Sequence, residues 1–560
     1  MIRKTTEYKR GASRMRQYET FEVTLKGPEL TESDNQAQAD VTGVFSLRGK
    51  ETRVKGFYDG SGIYKVRFLP EEAGICSYKI SGTVSAAGTE ECLPAENRHG
   101  KVKTEGTHFI YEDGSAFYPF GTTVYALAHQ DDKTVEQTLA TLSKAPFNKI
   151  RMCVFPKHYD FNQNEPPYFA FEKKKECRGV PETEMMQTDV WDAAHPSFSF
   201  WHRFEDILKR ISELGIETDL ILFHPYDRWG FSKLPMEDNL MYLDYLLRRL
   251  SAFPQIWWSL ANEYDLMEAR EPEDWVKFAD FITENDSFHH LMSIHHCLVP
   301  YDFSNPDLSH SCIQSRTVSM AGRLIRKYGK PCIFDEMCYE GNIMYSWGNI
   351  SAREMTDRFW CVCASGAYGT HGETFLSDDD VLWWAKGGVL KGESPLRIGW
   401  LKNLLYSLPG ALESEANAFE TIDFMEKSGR LTEDILASVP EGARHFIRTF
   451  TKMNQTERQR FFDFNPSYSA HVKDRVFLYY FSKECPAETV ISLPLAGHYR
   501  VEALDAWNMT RVLLMEKADV QKADGFNPFG STSAEEPMGT CKIKLPGREY
   551  MAVLAVKIEE

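Results

Sequence analysis

The chain has 560 residues, with 64 Lys and Arg against 81 Asp and Glu, and a formal net charge of −17. At roughly 100–200 residues per domain, this length predicts three or four domains, and 42% apolar with 26% charged residues is ordinary globular composition. The acidic balance excludes a general nucleic-acid binder, which needs a basic field to neutralise phosphate.

Apolar runs such as Ile256–Ala261 fall far short of the roughly 20 residues that span a bilayer, so no membrane partner is expected. Residues 1–23 are basic but lack an apolar stretch of the kind that drives secretion, which predicts a cytoplasmic protein. Twelve scattered cysteines, several inside apolar runs (Cys153, Cys297, Cys332), read as structural thiols.

Residues 1 to about 100 read as all-β. Alternating runs such as Phe21–Leu25 and Tyr64–Phe68 are separated by Gly, Pro and an Asp59–Gly60 turn, which predicts a small β-sandwich. From about 101 to 425 strands and helices alternate. Eight strands are expected: Phe117–Thr122, Lys149–Phe155, Glu217–Phe223, Gln255–Leu260, Leu291–His295, Ser309–Gln314, Pro331–Asp335 and Gly366–Thr370. Most are continuous apolar runs, as parallel strands buried on both faces require. Helical stripes lie between them, such as Phe204, Ile207, Leu208 and Ile211, or Leu243, Leu246, Leu247 and Leu250. Eight strand-then-helix units predict an α/β fold, a (β/α)8 TIM barrel. The Pro-, Glu- and Lys-rich stretch 157–196 reads as a long loop after the second strand, on the active-site face. From about 426 to 560 a helical connector precedes short strands (Val476–Phe481, Thr489–Leu493, Tyr499–Ala503, Met551–Ile558), which predicts a second β-sandwich. Gly525–Pro537 reads as an exposed loop.

Catalytic groups of such barrels come from the C-terminal ends of strands. The fourth strand ends in Asn262-Glu263, and the seventh in Asp335-Glu336, 73 residues after Glu263. Two carboxyls facing one mouth are what glycosidic cleavage needs: one protonates the leaving oxygen, and the other attacks or screens the cationic centre. Asp335 should face away from Glu336 by strand alternation, as an ion-pair partner. Arg151, in an apolar strand, needs a carboxylate partner. His224 ends the third strand and His295 the fifth; both are candidates to contact sugar, as are His371 and the stacking pair Trp383 and Trp384 after the eighth. His-Glu-x-x-His and Cys-x-x-Cys are absent, and the calcium-like Asp160–Glu165 has Glu where Gly is required, so no metal and no cofactor are expected.

These motifs, with Tyr118–Tyr125 as a first strand and Gly366–Phe375 as an eighth, resemble the clan A glycoside hydrolases. The layout is similar to apiosidase-like and family-5-like barrels with an N-terminal immunoglobulin-like domain and a C-terminal β-domain. The resemblance implies Glu263 as acid/base, Glu336 as nucleophile, Asn262 as ligand of the sugar 2-hydroxyl and Arg151 as the residue that positions the nucleophile. Gln314 stands where that clan usually carries a strand-six Tyr or His. The expectation is a retaining exo-glycosidase acting on terminal sugars of plant-type oligosaccharides. An endo-glycanase, an arabinofuranosidase or apiosidase on the same pair, and a non-catalytic carbohydrate binder are the rival readings; a homo-oligomer is compatible with each.

Overall fold

The computed structural model describes residues 8–9, 14–522 and 538–558; the 525–537 stretch lies outside the described residues. No helix among the described residues is long and apolar enough to cross a membrane.

The first part is a pair of four-stranded sheets face to face. One carries Phe21–Lys26 and Ile63–Phe68 as an antiparallel pair, and the other is built on Val41–Leu47 and Gly74–Gly82. Period-two patterning decides which face is buried: Phe21, Val23 and Leu25 point inward while Glu22 and Thr24 stay at the surface. Phe45 stacks on Phe68 across the interior, ring centres 4.4 Å apart. This sandwich is keyed to the next part by buried charge. Arg67 grips Glu205 with two bonds of 2.8 Å, and Arg249 bridges Glu205 at 2.6 Å and Asp59 at 2.7 Å.

A three-stranded sheet (Val102–Glu105, His108–Tyr111, Ala116–Phe117) then plugs the N-terminal end of a barrel, with Phe109 against Trp257. Residues Phe117–Thr122 are therefore split between plug and barrel rather than forming one strand. The barrel strands are β1 (Phe120–Thr123), β2 (Lys149–Cys153), β3 (Glu217–Phe223), β4 (Ile256–Ala261), β5 (Met292–Ser293), β6 (Ser311–Gln314), β7 (Cys332–Glu336) and β8 (Tyr368–His371). All pairings between them are parallel, and β1 pairs with β8. The β5–β6 seam lacks a strand ladder. Serines span it instead: Ser309 N–H reaches Met292 O at 2.8 Å, and Ser293 Oγ donates to His310 O at 2.7 Å.

Outside lie α1 (Asp132–Leu142), α2 (Phe198–Glu213), α3 (Met236–Leu250), α4 (Pro272–Asn285), α5 (Ala321–Tyr328), α6 (Ala352–Cys363) and α7 (Ser394–Tyr406). The eighth helix is missing: β5 runs to β6 through irregular chain, so the expectation of a helix in every unit fails there. The 157–196 loop carries its own hairpin, Phe171–Lys173 with Trp191–Pro196.

After the barrel, four helices between Ala418 and Phe464 bury their own aromatic cluster of Phe419, Phe450 and Phe462. A six-stranded sheet and a three-stranded sheet follow. The six-stranded one is centred on Met551–Ile558 between Val476–Tyr480 and His498–Asp505.

Candidate active site

The strand ends β4 and β7 are shaped for their carboxyls. Glu263 leaves β4 in the left-handed region at φ +54°, and Cys338, just past β7, has φ +71°. Left-handed non-glycine residues cost of order 1 kcal/mol or more and persist where surrounding packing imposes them. On β7 the register slips: Ile313 faces Phe334, but Gln314 faces Glu336, leaving Asp335 as the extra residue of a bulge. Bulges re-aim side chains. Here Asp335 enters the barrel interior while Glu336 lines the mouth.

Glu263 and Glu336 share one cavity of about 510 Å³. Tyr226 donates its hydroxyl to Glu263 Oε2, and Gln314 Nε2 donates to Oε1 at 3.2 Å. Tyr125 donates its hydroxyl to Glu336 Oε1 and stands 3.0 Å from Asn262 Oδ1. Arg151, wholly buried, comes within 3.9 Å of Glu336 through Nη1 and 3.5 Å of Asn262 Oδ1 through Nη2. His295 bridges the pair. Its Nδ1 accepts the Glu263 backbone N–H at 3.3 Å, which leaves the ring proton on Nε2, 3.8 Å from Glu336 Oε1.

Burial, and then the charge of Glu263, push the Glu336 carboxyl up to about 7; Arg151, Lys157 and the Tyr125 hydroxyl pull the other way. Burial holds His295 well below its ordinary value, so it stays neutral. Beneath the mouth, Lys149 and Arg151 hold Asp335 well below the usual carboxylate range against the cost of its burial.

One wall of the cavity is aromatic. Trp384 packs on Tyr159, Tyr339 and Trp347 with ring centres 5.2, 5.5 and 5.1 Å apart. Leu298, Ser315 and Arg316, from the loops after β5 and β6, also line the cavity. A groove of about 790 Å³ on the outer face, between α1 and α7, has no carboxylate in its lining.

The apiosidase-like catalytic-domain family matches residues 103–411, more than half of the chain. The chain belongs to the apiosidase-like family, and is a glycosidase of clan A. Two domains of unknown function flank this match, DUF5060 over residues 14–83 and DUF5605 over 466–556. A candidate glycoside hydrolase from Bacteroides vulgatus ATCC 8482 is similar over 97% of this chain and 100% of its own, at 29% identity and a TM-score of 0.80. A glycoside hydrolase family 5 structure from the same organism shares the fold at 13% identity and a TM-score of 0.53, over 82% of this chain and 94% of its own. No curated protein matches the chain.

In this apiosidase-like barrel Glu263, Glu336, Gln314 and Trp384 line the cavity, with Asn262, Arg151 and His295 directly beneath. Three expected contacts lie elsewhere. His224 is buried against Phe155 O at 3.2 Å, behind the wall. His371 stacks flat on Phe147 and faces out of the barrel toward the helices, since Thr370 takes the inward position beside Asp335. Trp383 also turns away, donating Nε1–H to Thr122 Oγ1 at 2.8 Å. Asp335 is an ion-pair residue as expected, but the bulge turns it toward the axis rather than away from it.

Gln314 serves Glu263, and the hydroxyl that reaches Glu336 comes from Tyr125, just past β1 and two strands from β7. Tyr125, Tyr226, Lys157, Tyr159, Tyr339 and Trp347 were missed from sequence. They lie two or more residues beyond strand ends, where alternation no longer assigns a direction. A signal was present for two of them: Tyr125 closes the recognised first-strand segment, and Tyr226 sits two residues past His224.

Among the described residues, one group of carboxylates and histidine is close enough to hold a metal ion: Glu340, His371 and Glu373. Its carboxylates are already committed to the turn before α7. Glu340 accepts from Glu393 N and Ser394 N, and Glu373 from Lys391 N and Gly392 N.

Proposed function

We propose that this glycosidase is a retaining exo-enzyme that releases terminal sugars from plant-type oligosaccharides. The observation that carries the reading is the meeting of Glu263 and Glu336 in one cavity, each with its own tyrosine donor. Glu336 attacks the anomeric carbon while Glu263 gives its proton to the glycosidic oxygen. The leaving alcohol departs and a glycosyl-Glu336 ester remains. Glu263, now a carboxylate, takes a proton from water, which attacks the same carbon and frees the sugar and Glu336. Asn262 and Arg151, fixed below, hold the nucleophile's side of the site. The aromatic cluster around Trp384 offers a stacking face for a single terminal sugar ring, which supports a pocket for a chain end over a groove for a chain interior.

The family match favours one particular sugar for the first trial, an apiofuranoside. A panel of aryl glycosides that includes it, with the anomeric configuration of the first product followed by proton NMR, tests the reading. Retention is expected, and Glu336→Gln should lower turnover by about 10⁴-fold or more while sugar binding persists. Net inversion, or a Glu336→Gln variant with wild-type turnover, would overturn it.

A further inference from the structure

Lys157, four residues past β2, is 2% exposed, and its ammonium makes no hydrogen bond or ion pair with any described residue. Such a group is expensive to bury unless something compensates its charge. It lines the cavity beside Glu263 and Glu336, and its nearest neighbours are aromatic rings. The nitrogen lies 3.4 Å from the centre of the Tyr125 ring and 4.2 Å from that of Tyr226, with Tyr159 at 5.0 Å. The two nearest rings are the ones whose hydroxyls donate to Glu336 and Glu263. One cation thus sits between the two phenols that hold the two carboxyls.

We propose that Lys157 is the positioning residue of the carboxyl pair: wedged between Tyr125 and Tyr226, it fixes both rings and strengthens both hydroxyls as donors to Glu336 and Glu263. A cation over a phenol face draws electron density from the ring, and the O–H gives its hydrogen bond more strongly. This rests on the glycosidase reading for its consequence but not for its geometry. Other charged and titratable groups bear on Glu336 from every side: Arg151 on β2, Glu263 after β4, His295 after β5 and Tyr339 after β7. Lys157 itself also faces Cys153 and His224. Burial lowers the Lys157 ammonium from its ordinary value, opposed by Cys153 and by the two glutamates.

The sign follows. Glu336 must be ionised to attack. Removing a positive charge and loosening the Tyr125 donor makes its carboxyl keep a proton to higher pH. Lys157→Met keeps length and loses charge. Its kcat/KM profile should have the acid limb moved up by about one pH unit, a loss of about tenfold below the limb that disappears at alkaline pH, with KM little changed. Lys157→Arg should retain the wild-type limb. A carbon-13 NMR titration of the Glu336 carboxyl, which needs no substrate, should move the same way. If Lys157→Met does not fold, Lys157→Gln takes its place. A loss that is equal at every pH, a change confined to KM, or a Glu336 titration superimposable on wild type would overturn the proposal. If no glycoside is turned over by the wild type while the Glu336 titration still shifts in the variant, the glycosidase reading falls and the positioning role stands.

Discussion

One layer inside the barrel, Asp335 accepts from Lys149 at 2.8 Å and from Thr370 Oγ1 at 2.6 Å, and Lys149 also bonds Asp219 at 2.7 Å. At the mouth the next residue, Glu336, has cationic Arg151 no nearer than 3.9 Å, and Lys157 faces ring carbons rather than carboxylates. The interior spends its charges in contact, where they neutralise one another. The mouth keeps cations and carboxyls near but apart, so that the carboxyls keep free lone pairs for a substrate. Burial penalises both residues; contact with counter-charges decides that Asp335 goes down and Glu336 goes up.

Asp335→Asn leaves Lys149 and Arg151 short of a buried counter-charge, and should lower the unfolding free energy by about 3–5 kcal/mol in urea denaturation. Glu336→Gln removes a carboxyl that repels Glu263 and should leave stability unchanged or raised; an equal loss in both variants would show that interior and mouth carboxyls are held alike. Next in size is Tyr125→Phe. A hydrogen bond to a charged group is worth about 1.5–3 kcal/mol, so kcat/KM at pH 6 should fall by about 10–100-fold, and less above pH 8. A loss of equal size at all pH values would show that the hydroxyl acts on something other than Glu336 ionisation.

The smallest effect is a matter of slope. Asp335 is lowered, so its stabilisation is present above the ordinary aspartate range and lost only as pH falls through and below that range. Glu336 is raised, so its contribution is present at low pH and is lost as pH rises from the ordinary glutamate range through about 7. Thermal melts between pH 4.5 and 7.5 should therefore show a decline in the wild type that is shallower in Glu336→Gln, the remaining slope belonging to Glu217, Glu373 and Glu415, whose carboxyls burial also raises. An unchanged slope would place the raised proton on another group.

The barrel strands were legible because strands buried on both faces are rich in apolar residues, as in Leu220–Phe223 and Ile256–Trp258, and such short runs recur between helical stripes. Glu263 and Glu336 were legible for a related reason: a carboxyl that ends an apolar run stands out against it. His224, His371 and Trp383 misled because being near a strand end says nothing of direction, and here Phe155 O holds His224 while Thr122 bonds both Trp383 and His371. The missing helix between β5 and β6 has a similar cause. Residues 294–310 carry no helical period, and the regular strand-helix alternation of the other units does not extend to them.

Chain composition and patterning alone determined a two-face-buried parallel barrel between β-rich ends, with a carboxyl at the end of each of two strands, because apolar burial obeys local period. Only the tertiary structure decided what those carboxyls meet. The bulge at Asp335, the left-handed turn at Glu263 and the approach of Tyr125, Lys157 and Tyr226 from three different strand ends depend on separate strand ends closing on one another at the barrel mouth, and no local period encodes a contact between segments lying on different strands.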